Sequence, residues 1–330
     1  MEDQDNLTMQ DNYNMVKLVK PLSFVIIISI CLASAGCARE TGSPESAADK
    51  LTVAVSIVPQ ETFVKAVAGD LVNVVTLIPP GKSAESYQPT PREMEAFARA
   101  TLYFSIGVPV EDASILPRVK DLNSKVTIVP LADRVREVYP DRYFEDENVE
   151  RHEDEKGSHD EGEEHRHEGR DPHIWLSPKR VKVMIEVIAK ELSAVDAANK
   201  SIYEKNAKEY IAKLDKLDEY IRSTLSGVKN RTFIVFHPAY GYFADDYGLK
   251  MLALEKDGKE ATARNLEDII DIAKKENIKA IFYQAEVDSK QTRTLAAEIG
   301  GKAVQLAPLH PDYIENMKRT ARALAGAPEQ

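Results

Sequence analysis

Short apolar runs rich in β-branched and aromatic residues recur along the chain in two groups of four. Leu51–Val58, Val74–Ile78, Thr101–Ile106 and Val126–Pro130 form the first group. Arg231–His237, Leu249–Leu254, Lys279–Gln284 and Lys302–Leu306 form the second. Runs of this length and composition read as buried strands. Helical spacing fills most of the intervals, and strands that alternate with helices build parallel, helix-covered sheets. The pattern predicts an α/β fold of two lobes, each with a small parallel four-stranded sheet and flanking helices.

Several helix starts are marked. Thr90-Pro91-Arg92-Glu93 combines an N-cap threonine, Pro at the first helical position and Glu at the third, a capping box that predicts a helix to about Ala100. Ser177-Pro178 opens another, with Val181, Val183, Met184, Ile185, Val187 and Ile188 as its apolar content. The longest pattern, Ser201–Leu225, sets Ile202, Tyr210, Ile211, Leu214, Leu217, Ile221 and Leu225 mostly three or four residues apart, with charges on the other faces and neither Pro nor Gly. At 1.5 Å per residue it would run about 37 Å. Lying between the two strand groups, it predicts one long rigid helix joining the lobes; a helix packed within one lobe is the alternative. The expected division is a lobe over 51–200, the linking helix over 201–226 and a second lobe over 227–330.

Two stretches stand outside this alternation. Lys17 and Lys20 precede an apolar run of about 14 residues, Leu22–Ala35, shorter than the roughly 20 that span a bilayer as a helix. It ends in Ser34-Ala35-Gly36-Cys37, small residues before a cysteine. Residues 1–36 are therefore expected to be a lipoprotein-type signal peptide and Cys37 the lipidated residue, with an uncleaved anchor as the alternative. The acidic residues 1–14 make Met15 a candidate start. Residues 37–50, rich in Ser, Ala, Gly and Pro, read as a flexible tether. The second stretch, 145–170, is acidic, lacks periodicity and contains His152, His159, His165 and His167. Low hydrophobicity with high charge predicts a disordered loop. It reads either as a solvated linker or as a secondary metal loop whose imidazoles and carboxylates bind a divalent cation weakly.

The chain has 330 residues, 43% of them hydrophobic, enough for two ordinary globular domains. Its net charge is −11, of which −9 falls within Glu145–Asp171. That balance argues against general nucleic-acid binding, which needs a basic surface. Both cysteines, Cys31 and Cys37, lie in the N-terminal segment, so nothing after Cys37 offers a thiolate. A metal bound by the remaining chain must be held by nitrogen and oxygen.

Four segments leave the carboxyl ends of predicted strands or lie beside predicted helix starts, where ligands of α/β proteins gather. His173 sits in Asp171-Pro172-His173-Ile174-Trp175-Leu176-Ser177-Pro178, beside the single Trp. His237 ends the strand of Phe233-Ile234-Val235-Phe236-His237-Pro238-Ala239-Tyr240. Glu85 sits in the turn-rich Pro79-Pro80-Gly81-Lys82-Ser83-Ala84-Glu85-Ser86-Tyr87-Gln88-Pro89-Thr90-Pro91 and taken alone reads equally as a surface carboxylate. Asp312, in Leu306-Ala307-Pro308-Leu309-His310-Pro311-Asp312-Tyr313, reads as a ligand or as the cap of the last helix, with His310 as the alternative ligand. Two imidazoles and two carboxylates converging between lobes would suit zinc, manganese or iron.

These strings, in this order and spacing, resemble the solute-binding proteins of zinc and manganese ABC importers, the cluster A-I metal receptors, from about Leu51 to Ala325. The Tyr-Ile-Glu-Asn-Met run from Tyr313 and the Gly-Tyr-Phe from Gly241 belong to the same match. The resemblance implies two α/β lobes joined by one long helix, with a metal between them on three or four ligands. It carries over His173 and His237 directly and assigns Asp312 to the acidic ligand of many members. It departs at Glu85, where the family usually has His, so Glu85 enters as a candidate replacement. Glu286 falls where relatives often carry Glu and is expected to be structural or to line the cleft. The implied cargo is Zn2+, with Mn2+ next, and there is no catalytic cofactor. The implied protein is a lipid-anchored, extracytoplasmic, monomeric receptor serving an ABC permease, not an enzyme. Neither His-Glu-x-x-His nor Gly-x-Ser-x-Gly occurs, which argues against a metallohydrolase. Aromatics at 7% argue against a haem or siderophore cleft. A surface metal buffer or adhesin without a transport role stays open.

Overall fold

A computed structural model of the protein describes residues 50–144, 169–256, 259–260, 262–286 and 290–326. The expected signal peptide, Cys37, nearly all of the tether and the loop histidines His152, His159, His165 and His167 lie outside the described residues. Among the described residues no helix is long and apolar enough to cross a membrane.

All eight expected strands form, in two four-stranded sheets. The first contains β1 (Leu51–Val55), β2 (Val72–Thr76), β3 (Leu102–Ser105) and β4 (Thr127–Pro130), in the order β2-β1-β3-β4 and parallel throughout. The second contains β5 (Thr232–Val235) and β6 (Lys250–Ala253), then, beyond a two-residue hairpin of β7 (Glu255–Lys256) and β8 (Lys259–Glu260), β9 (Ala280–Gln284) and β10 (Lys302–Leu306). Its order is β10-β9-β5-β6, again all parallel. Parallel strands need crossovers. In the first sheet these contain α1 (Val58–Ala68), α2 (Pro91–Phe97) and α3 (Leu116–Leu122), with α4 (Leu131–Arg136) after β4. The central strands have helices on both faces, so Val53, Ala54, Val55, Leu102, Tyr103 and Phe104 are all buried.

The caps form as the sequence dictates. Glu93 N–H donates to Thr90 Oγ1 at 3.4 Å and Thr90 N–H donates to Glu93 Oε2 at 2.6 Å, so two helix-start donors are satisfied reciprocally. Ser177 Oγ accepts from Arg180 N–H at 3.3 Å and opens α5 (Pro178–Val195). The long helix is α6 (Lys200–Leu225), 26 residues. Its buried stripe is Tyr203, Ala207, Tyr210, Leu214, Leu217, Ile221 and Leu225, spaced three or four apart. Ile202, expected on that stripe, points outward at 42% exposure, because Tyr203 occupies the register and bonds Asp196 through its hydroxyl at 2.6 Å.

The second half adds α7 (Gly241–Tyr247), α8 (Ala263–Lys275), α9 (Lys290–Glu298) and α10 (Tyr313–Leu324). Packing of α6 is two-sided: α1 and α5 lie against it from the first half, α10 and α7 from the second. One apolar core therefore runs from the first sheet through α5 and α6 to Phe233, Val235, Phe282, Tyr313 and Met317. A smaller cluster, including Ile234, Ile281, Ala273 and Leu295, fills the other face of the second sheet beneath α8 and α9. Direct bonds tie the halves beside this core. Trp175 Nε1–H donates to Pro308 O at 2.9 Å and Thr62 Oγ1–H to Pro311 O at 2.6 Å. Asp246 of α7 accepts from Ser177 Oγ and Arg180 Nη1 and pairs with Lys179.

Candidate metal centre

The loop after β2 begins with a tight turn. Lys82 N–H donates to Pro79 O at 3.2 Å, and Gly81 takes φ +77, a left-handed position glycine adopts without strain. The loop then turns on Ser83, whose hydroxyl accepts from Glu85 N–H at 3.1 Å and whose carbonyl accepts from Tyr87 N–H at 3.1 Å. From the other side, Val110 N–H donates to Ala84 O at 3.4 Å. Next to Val110, the buried Glu111 carboxylate accepts from the backbone N–H groups of Ile106 and Gly107 and from Ser56 Oγ. Burial pushes the Glu111 carboxyl up to about 7 despite these donors. This braced loop presents Glu85, whose side chain is 36% exposed.

His173 precedes the tight turn Ile174–Leu176 that leads into α5. Asp171, fully buried, folds its carboxylate back two residues: Oδ1 accepts from His173 N–H at 3.0 Å and meets His173 Nδ1 at 2.8 Å. His237 lies just beyond β5, where Phe236 N–H donates to Phe282 O at 2.7 Å and holds the chain in line with β9. Its Nδ1 meets Glu255 Oε2 at 3.1 Å. Both rings thus have Nδ1 turned to a carboxylate, which directs each Nε2 to the opposite side. The two Nε2 atoms stand 3.3 Å apart, and Glu85 Oε1 is 2.5 Å from that of His237 and 3.9 Å from that of His173.

Among the described residues, Glu85, His173 and His237 form the one group of donor atoms drawn within 4.8 Å of one another. Burial works against charge on His237, but the hydrogen bonds and charges of Glu255 and Glu85 outweigh it and raise the ring to about 9. Burial likewise raises Glu85, yet His237 and then His173 hold its carboxyl below the ordinary value. The centre favours positive charge between these atoms.

Ser83, Ala84, Trp175, Gln284, Glu286, Pro308 and Leu309 complete the cavity wall. Glu286 follows β9, the strand beside β5 at the point where strand order reverses in the second sheet. Its Oε2 and the Gln284 Nε2 are buried without a hydrogen-bond partner, and burial raises the Glu286 carboxyl. Glu286 is a second acidic oxygen on the cavity, as its expected lining place implied.

Asp312, expected as the fourth donor, is not brought to this group. It is the N-cap of α10, and its Oδ1 accepts from Glu315 N–H at 3.4 Å. The cap geometry fixes its carboxylate over the helix end, the alternative its position already allowed. His310 is committed too: Nδ1 accepts from Asp312 N–H at 3.0 Å, and Nε2 lies 3.1 Å from Arg319. Two residues escaped the sequence reading, Asp171 and Glu255. Asp171 had a signal, standing two residues before His173; Glu255 had only its place directly after the apolar run that follows that of His237.

The pattern of the family described as "Zinc-uptake complex component A periplasmic" matches residues 53–327. The "High-affinity zinc uptake system protein ZnuA" of Bacillus subtilis (strain 168) is 31% identical over 326 residues, 93% of this chain and 98% of that protein. The "Zinc-binding lipoprotein AdcA" of Streptococcus pneumoniae (strain ATCC BAA-255 / R6) is 30% identical over 327 residues, 94% of this chain; the chain spans only 62% of the AdcA length. The crystal structure of a ZnuA deletion mutant with zinc bound superposes with a TM-score of 0.73 at 32% identity, covering 86% of this chain and 100% of that one. With two parallel sheets, one long helix and the family pattern running over nearly all the described residues, the chain belongs to the ZnuA family of zinc-uptake complex components.

Proposed function

We propose that the protein captures a divalent transition metal between its lobes, zinc first and manganese next, and surrenders it to an ABC importer. One observation carries this reading: two buried imidazoles, each backed by a carboxylate, aim their Nε2 atoms at a common point beside the Glu85 carboxylate. Two nitrogens about 2.05 Å from a tetrahedral zinc stand about 3.3 Å apart, and the observed separation is 3.3 Å. Glu85 Oε1, at 2.5 and 3.9 Å from the two nitrogens, brackets the same spacing. Glu286 is the proposed fourth donor, since it brings an unpartnered buried oxygen to the same cavity. The cavity encloses about 30 Å³, a space of one or two water molecules, which suits a bare ion and not an organic chelate.

The role is binding and release, not catalysis. Cys37 is the proposed lipid attachment point, placing the monomeric receptor at the outer face of a membrane beside its permease. The relatives that the chain resembles, a zinc-binding lipoprotein and a zinc uptake system protein, agree with this reading. Metal analysis of the purified chain from residue 50 onward, followed by zinc and manganese titration, tests it. One tightly held zinc per chain is expected, and a chain that takes up neither metal would sink the proposal.

A further inference from the structure

Arg142 lies 31 residues before His173 and outside the metal cavity, yet it touches both histidine-bearing segments. Its Nη1 is 3.2 Å from Asp171 Oδ2, the oxygen that Asp171 does not use on His173. Its backbone N–H donates to Tyr242 Oη at 2.9 Å, and its Nε is 3.3 Å from Asp245 of α7. Its guanidinium lies flat over Gly241, so close that a Cβ there would fall 2.5 Å from it. Gly241 is the first residue of α7, four residues after His237. Arg142 O also accepts from Asp171 N–H at 2.8 Å.

We propose that Arg142 is the positioning residue that sets the spacing of the two histidines, with Gly241 as the seat that its guanidinium requires. The inference rests on the reading of Glu85, His173 and His237 as the cargo site. Asp171 is fully buried, and a buried carboxylate is costly to leave unpaired, so its orientation is set by the groups that pair its oxygens. Arg142 fixes one oxygen, so the other faces His173 Nδ1 and the ring presents Nε2 to the cleft. The same planar cation leans on the start of α7 and thereby registers that segment against the His237 segment. A guanidinium can bond two carboxylates in different directions at once; an ammonium offers only a single charged point.

Cobalt(II), whose visible absorption depends on ligand number and symmetry, is the probe. The variants are Arg142→Ala, Arg142→Lys and Gly241→Ala, the last displacing the guanidinium without removing it. Arg142→Ala is expected to raise the cobalt Kd about 10–100-fold, the usual consequence of losing an outer partner of a ligating histidine. Its cobalt band should weaken and shift. Arg142→Lys should restore part of the affinity, and Gly241→Ala should reproduce the spectral shift. Nitrogen-15 correlation spectra of the metal-free protein should show His173 held as the Nδ1–H tautomer in the parent and as a mixture in Arg142→Ala. Parent-like affinity, spectrum and tautomer in Arg142→Ala would overturn the inference, as would a parent-like spectrum in Gly241→Ala. A parent protein that takes up no cobalt would instead overturn the site reading itself and this inference with it.

Discussion

His173 Nε2 and His237 Nε2 face each other at 3.3 Å, one from the turn before α5 and the other from the end of β5. Neither ring is free to turn away, because Asp171 and Glu255 occupy the Nδ1 positions. Two basic nitrogens so fixed repel unless a proton or a metal cation lies between them. The carboxylates behind them make that cation welcome.

Removing either ring leaves too few donors. His173→Ala and His237→Ala are each expected to weaken zinc binding by more than the roughly 10–100-fold typical of an outer partner, and Glu85→Ala by at least about tenfold. Asp312→Ala is expected to leave zinc affinity unchanged and to lower stability by about 1 kcal/mol through loss of the α10 cap. Calorimetric titration and thermal melts of the four variants separate the outcomes. A loss of affinity in Asp312→Ala would return that residue to the ligand shell.

Glu85 is the one oxygen donor in the group of three that the structure draws together. Glu85→His would supply a third imidazole and is expected to favour zinc over manganese more strongly than the parent does. Competition between the two metals, read by bound-metal analysis, checks the direction. A variant that shifts toward manganese would contradict the placement of Glu85 in the shell.

Proton release should accompany capture. His237 is raised to about 9 in the metal-free protein, so at neutral pH its ring is charged and must give up a proton to ligate. Apparent affinity should fall by about tenfold per pH unit below about 9, with one proton released per ion. Titrations in buffers of different ionisation enthalpy measure that proton. The same ring affects the metal-free fold. Its stabilising contribution is complete below the ordinary value of 6.5 and is lost as pH rises through about 9. Glu111 acts in the same direction, its contribution complete below 4.5 and lost as pH rises through about 7. Denaturant midpoints of the metal-free protein should therefore decline from mildly acidic to alkaline pH, and less steeply in Glu111→Gln.

Trp175 is the chain's single Trp and is buried, its ring centroid 5.2 Å from that of His173. Intrinsic fluorescence should change on zinc addition and saturate at one equivalent. Trp175→Phe removes the donor to Pro308 O across the lobes, and a buried carbonyl left unpaired is expected to cost about 1–3 kcal/mol. A variant as stable as the parent in urea would show that this bond contributes nothing net.

Much of the fold is legible in the sequence, for reasons that differ by element. The central strands β1, β3 and β5 are legible because they are buried on both faces and so nearly continuous in apolar residues; the half-exposed edge strands show only as shorter apolar runs between helical patterns. The Thr90 cap was legible because its partners are three residues apart. His173 and His237 stood out through the strings around them. What stayed hidden depends on contacts between distant segments. Nothing in the residues near Asp312 distinguishes a ligand from a cap, since both need a carboxylate ahead of a helix. Glu255 reaches His237 only because β5 and β6 pair in the observed register, and the two-residue strands β7 and β8 are too short to show a period. Ile202 and Tyr203 compete for one stripe, and a hydrogen bond to Asp196 decided between them.

The two-sided burial of α6 limits how the ion can leave. Swinging one half away from the other would strip Leu214, Leu217 and Ile221 of their apolar neighbours, at about 1.5–3 kcal/mol for each side chain wetted. Thermal agitation seldom supplies such a sum, so wide gaping is a poor exit. The cheaper route is to slide the Ser83–Tyr87 segment aside, since a few hydrogen bonds, Val110 N–H to Ala84 O and Tyr87 Oη–H to Glu93 among them, and the single small core residue Ala84 hold it to its neighbours. On the proposed function, a partner that pulls on that strip would discharge the ion while the frame beneath stays shut.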